Sequence, residues 1–154
     1  MISDPDVAFS WPFGAFFLCK NITKKGGIVV YRAYNPNPSG ARVGDCTVRA
    51  ICRATGEDWD TVYCGLCIEG LRLNDMPTAN HVWGAYLRSR GFKRHALPDD
   101  CPDCYTVADF CRDNPQGTYV LAISGHVVCV ADGIYYDTWD SGAESPSYYW
   151  SKEA

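Results

Sequence analysis

Three residues of this 154-residue chain have the types and settings for nucleophilic chemistry at a carbonyl carbon: Cys46, His126 and Asp137. Cys46 follows Gly44-Asp45 and opens a stretch with helical spacing. At a helix start, the dipole and the unpaired backbone N–H groups favour a thiolate. The same N–H groups can donate to a developing oxyanion. Arg49, one turn further on, adds positive field. His126 heads the β-like run HVVCV, and Asp137 lies in the next run, IYYDTW. A carboxylate beside an imidazole fixes its tautomer and stabilises its charged form. Most free cysteines are simply buried. Cys46 stands out among the nine cysteines through its helix-start position and the His/Asp pair downstream.

That pairing depends on one turn. Asp132-Gly133 is a strong two-residue hairpin signal. It predicts Ala131 opposite Ile134, Val128 opposite Asp137 and His126 opposite Trp139. His126 and Asp137 then share a face as diagonal neighbours. Asp140, of opposite parity, points away. A one-residue change in the loop would separate the pair.

The remaining elements follow from period and punctuation. Helices are expected over 46–55 with Asp45 as N-cap and Gly56 as stop, over 59–71, over 79–90 with Thr78 as cap, and over 107–113 capped by Thr106. In the first, Arg49 and Arg53 fall opposite the apolar positions. In the second, the apolar set is Val62, Tyr63, Leu66, Cys67 and Leu71. Strands are expected over 28–33, 118–123, 126–130, 134–139 and 148–150. Residues 1–27 form an irregular leader or strap, and 28–154 a single domain. Helices followed by an antiparallel sheet make an α+β chain. Trp83 and Trp139 fit core packing, and His81 and His95 the surface.

Composition narrows the classes. Hydrophobic residues are 47% and charged residues 21%, which excludes a disordered chain. The net charge of −4, with no basic run longer than Lys24-Lys25, gives no nucleic-acid footprint. No apolar run approaches a membrane span, and the apolar stretch 7–18 is a poor export signal. An odd cysteine count without such a signal predicts reduced thiols and a cytoplasmic chain. Cys64, Cys67, Cys101 and Cys104 form two C-x-x-C pairs that could bind structural zinc. The first pair sits mid-helix, where spacing of three suits a core face better. The second, CPDC, has the look of a knuckle, or of a redox pair lacking its strand-then-helix start. Buried or incidental thiols, with no metal or cofactor, are therefore the expectation.

Gly44-Asp45-Cys46 opening a helix, Gly125-His126-Val127-Val128 opening a strand and Tyr136-Asp137 on the next strand resemble a minimal papain-like cysteine peptidase, closest to the bacteriocin-processing, C39-like group. Residues 34–150 also resemble small proteins of gut Firmicutes and their phages, in Asn35-Pro36, Gly44-Asp45-Cys46, Trp83-Gly84-Ala85-Tyr86-Leu87, Cys101-Pro102-Asp103-Cys104-Tyr105 and Trp139-Asp140-Ser141-Gly142. The peptidase resemblance implies a helical lobe carrying Cys46 and an antiparallel sheet carrying His126 and Asp137, with a cleft between them. It implies cleavage of a peptide, isopeptide or other amide. Gly40 stands where such enzymes usually carry an oxyanion-hole Gln, and Asn37 and Asn35 are the nearest amides; Asn37 is the expected partner of the Cys46 N–H. The C39-like group tends to place Gly directly after the Cys, where this chain has Thr47. The alternatives are a non-catalytic binding protein on the same fold, such as a phage antagonist of a host factor, and a zinc-stabilised interaction domain.

Overall fold

The computed structural model describes residues 21–24, 27–97 and 105–152. They form a mixed α+β fold of four helices and one sheet. In chain order the elements are β1 (Asn21–Lys24), β2 (Gly27–Ala33), α1 (Cys46–Thr55), α2 (Trp59–Leu73), α3 (Asn80–Ser89), β3 (Phe92–Ala96), α4 (Val107–Asp113), β4 (Thr118–Ile123), β5 (His126–Ala131), β6 (Ile134–Asp137) and β7 (Pro146–Lys152). The strand order is β1-β2-β6-β5-β4-β7-β3. No helix among the described residues is long and apolar enough to cross a membrane.

Period-2 alternation sends β5 side chains to two cores. Val127 and Cys129 join Val48, Ile51 and Cys52 of α1, together with residues of α2 and α3 and Trp150 of β7. Val128 and Val130 join Val107, Phe110 and Cys111 of α4 on the other face. The helices therefore do not form one lobe: α4 is separated from the other three by the sheet. Nor is the sheet wholly antiparallel. β2 runs parallel to β6, with Ala33 beside Asp137. That direction ends β2 at the same rim as Asp137, and residues 34–45 lead from there to the start of α1.

The hairpin register agrees with expectation. Ala131 pairs with Ile134, Val130 with Tyr135 and Cys129 with Tyr136. Asp132 and Gly133 have φ of 50° and 73°, the positive values a type I′ turn needs. The expected strand over 134–139 ends at Asp137. α4 has the bounds and the Thr106 cap expected, completed by Asp109 as a capping box.

Several local expectations are corrected. Asp45 precedes α1, but its side chain caps nothing; stronger partners, described below, take it. α3 starts after Ala79, and Thr78 is not its cap. Residues 21–24, expected within the irregular leader, pair with β2 as β1. β3 went unforeseen because FKRHA has one buried apolar residue, Phe92. It is a charged edge strand, the composition that discourages further pairing. In α2 the buried stripe is Val62, Leu66 and Gly70. Tyr63, Cys64, Ile68 and Leu71 are exposed, so Cys64 does not face a core. Residues 1–20, Cys101 and Cys104 lie outside the described residues, and with them most of the leader and the second C-x-x-C pair.

Gly133 carries the register of the hairpin. A Cβ there would lie 3.3 Å from the carbonyl oxygen of Cys111 and 3.4 Å from Cα of Pro115, at a φ that L side chains rarely adopt. Gly133→Ala is expected to cost about 1–2 kcal/mol. Urea unfolding should show a lower midpoint at unchanged slope.

Candidate active site

Cys46, His126 and Asp137 meet at the rim where α1 begins, β5 begins and β6 ends. Parity alone would put His126 and Asp137 on the α4 face. They reach α1 because each is a terminal strand residue, beyond which no further residue of its strand separates the two faces. His126 Nε2 lies 2.6 Å from Asp137 Oδ2. This leaves Nδ1 as the nitrogen available to Cys46, which lines the same cleft as His126.

The charges are tuned in one direction. Burial opposes ionisation of the half-buried Cys46. Hydrogen bonds from His126 and the Val127 backbone, the His126 charge and the Thr47 hydroxyl outweigh it, and the thiol falls below its ordinary 9.0. Burial likewise opposes charge on His126, but its bonds to Asp137 and Cys46 lift it from 6.5 to about 9. Asp137 is 2% exposed. Its desolvation is offset by the bond and charge of His126, by Ser141 and by the Thr138 backbone, and its carboxyl is lowered. Ser141 Oγ donates to Oδ2 at 2.8 Å and the Thr138 N–H to Oδ1 at 2.7 Å. The Cys46 and His126 shifts both act in the direction that favours a thiolate–imidazolium pair.

The fourth member is Arg49. It was expected opposite the apolar face of α1, yet it is only 6% exposed. Its Nη1 pairs with Asp45 and its Nη2 lies 3.3 Å from Asp137 Oδ1. Asp45 also accepts from Trp59 Nε1 at 2.8 Å. These bonds explain why Asp45 caps no helix: both its oxygens are engaged. The sequence signal for Arg49 was its spacing of three from Cys46, which puts it on the same side of α1 one turn in.

A cleft of about 560 Å³ opens beside the sulfur. Gly44, Thr47, Asn80, Trp83, Ser124 and Tyr148 are among its walls. Asn37 is not brought there. Its side-chain oxygen accepts from the Ser39 N–H and hydroxyl in a local turn. The cleft's side-chain amide is instead Asn80, whose Oδ1 accepts from Trp83 Nε1. Trp83 is a fully buried core residue as well as a wall. Trp139, expected in the core, is 44% exposed, with its ring 5.3 Å from that of His126. Asp140 accepts from Tyr135 and the Gly142 N–H, away from His126. Among the described residues, no three His, Cys, Asp or Glu side chains are grouped to hold a metal. No family model matches the chain, and neither a curated protein nor a solved structure matches it.

Two outcomes test the site. Arg49→Met leaves buried Asp45 without its cation and takes one of two from Asp137, and is expected to cost about 3–5 kcal/mol in urea unfolding. Asp137→Asn removes the charge that raises His126. The pH at which Cys46 becomes reactive toward iodoacetamide should therefore move up, while Asp140→Asn leaves it in place. Stability follows the same signs. The His126 contribution is complete below pH 6.5 and is lost as pH rises through about 9. The Asp137 contribution is present above 3.8 and is lost as pH falls through its lowered value.

Proposed function

We propose that this protein is a cysteine-dependent amide hydrolase of papain-like architecture, acting on a peptide, isopeptide or related amide. The single observation that carries the reading is the 2.6 Å contact of His126 Nε2 with Asp137, which leaves the other ring nitrogen free in the cleft that the helix-start thiol also lines. Cys46 Sγ attacks the carbonyl carbon and the C=O electrons move to oxygen. The unpaired N–H of the helix start holds that oxyanion, and the Asn80 amide is the side-chain donor that replaces the expected Asn37. His126 gives its proton to the departing amine as the C–N bond breaks, leaving a thioester. Water then attacks the thioester carbonyl, His126 takes the water proton, and the thiolate leaves with release of the acid. Asp137 stays ionised and orients the ring.

The experiment compares Cys46 with Cys64, an exposed thiol on the same chain. At pH 6 an ordinary thiol with a pKa near 8.5 is only about 0.3% ionised. Iodoacetamide should modify Cys46 first, and His126→Ala should slow this by about a hundredfold. Faster labelling of Cys64, or an unchanged rate in His126→Ala, would sink the proposal.

A further inference from the structure

Among the described residues, the walls of the cleft contain no Asp or Glu. Apart from Cys46 and His126 they are neutral, with Thr47, Thr78, Asn80, Ser124 and Ser147 supplying the polarity. Apart from the Asp45–Arg49–Asp137 network at the site, a positive charge stands beside one of the walls. Arg94 of β3 places its guanidinium 4.0 Å from the ring centroid of Tyr148, a cleft wall. Arg94 pairs across β3–β7 with Trp150, two residues from Tyr148, so it stands on the same face as both rings. Arg88 of α3 lies over the Trp150 ring at 5.5 Å. Both arginines are exposed, and among the described residues neither has a carboxylate at ion-pair distance. Arg49, Arg72, Arg90 and Arg112, by contrast, all pair with acids.

The sheet sets the distance from this charge to the chemistry. His126 pairs with Ile123 on β4, and the neighbouring Ala122 pairs with Tyr148 on β7. Tyr148 is thus two strands from His126, about 10 Å at roughly 4.8 Å per strand. An extended peptide rises about 3.3 Å per residue, so that span is about three residues. A guanidinium stacked on an aromatic ring keeps its N–H edge free for a carboxylate.

We infer that the cleft takes an extended peptide with an acidic side chain about three residues from the bond attacked, and that Arg94 is the residue that selects it. This rests on the amide-hydrolase reading. The test uses two series of peptidyl electrophiles, extended toward the amino or the carboxyl side of the reactive carbon, with Glu, Gln or Lys at the third position. The rate of Cys46 alkylation is measured for each, with iodoacetamide as the reference reagent. In one of the two series, Glu should exceed Gln by about fivefold, the upper range for an exposed ion pair. Arg94→Gln should abolish that preference and Arg94→Glu should invert it toward Lys, with the iodoacetamide rate unchanged in both. Equal rates for the three side chains in both series, or a Glu preference that survives Arg94→Gln, would overturn the inference while leaving the hydrolase standing. Loss of the low-pH iodoacetamide reactivity of Cys46 in the unaltered protein would instead overturn the hydrolase reading.

Discussion

Arg49 sits between two buried carboxylates, Asp45 before α1 and Asp137 at the end of β6. Taking three charged groups out of water is expensive and is tolerated only with good geometry and further hydrogen bonds. Trp59, Ser141 and the Thr138 backbone supply those bonds. The consequence is mechanical as well as electrostatic. The start of the helix that carries Cys46 is tied to the strand end that carries the partner of His126. Movement of α1 along the sheet would leave Arg49 or a carboxylate unpaired, so the cysteine and the imidazole are held in register by the ion network beneath them.

The site belongs to the rim of the sheet and not to either of its faces. α1 packs on the Val127 and Cys129 face, whereas His126 alternates with Val128 and Val130 toward α4. Only where strands end can a side chain from one face meet a helix lying on the other. The parallel β2–β6 pairing makes this possible, because it returns the chain to the Asp137 end of the sheet before α1 begins. The fold thereby brings together a helix dipole, a thiol, an imidazole and a carboxylate from three separate elements.

Much of this arrangement was legible in local sequence. Asp132-Gly133 specified a turn whose positive φ values leave one hairpin register, and parity then put His126 and Asp137 on one face. Thr106 marked the start of α4, and Asp109 completes there a reciprocal cap that needs no tertiary partner. The helix starting at Cys46 was legible for the same reason. Asp45, an apparent cap, was misleading: a buried guanidinium and an indole N–H compete for its oxygens more strongly than exposed backbone N–H groups do. Arg49 read as lying opposite the apolar positions of its helix; the partner that draws it under the site, Asp137, is 88 residues away.

The division follows the range of the interactions. Turn chemistry, helix spacing and capping act within a few residues, and through them the sequence by itself determined the hairpin, the four helices and the three residues that meet at the candidate site. Partners distant along the chain were decided only by the tertiary structure. It placed β2 parallel to β6, put α4 on the opposite side of the sheet from α1, and buried Arg49. It also left Asn37 in a local turn and brought Asn80 to the cleft in its place, and it drew Arg94 onto the ring of Tyr148. Each of these depends on the sheet order β1-β2-β6-β5-β4-β7-β3. That order is set by which strands bury one another's apolar faces, a property that no window of adjacent residues contains.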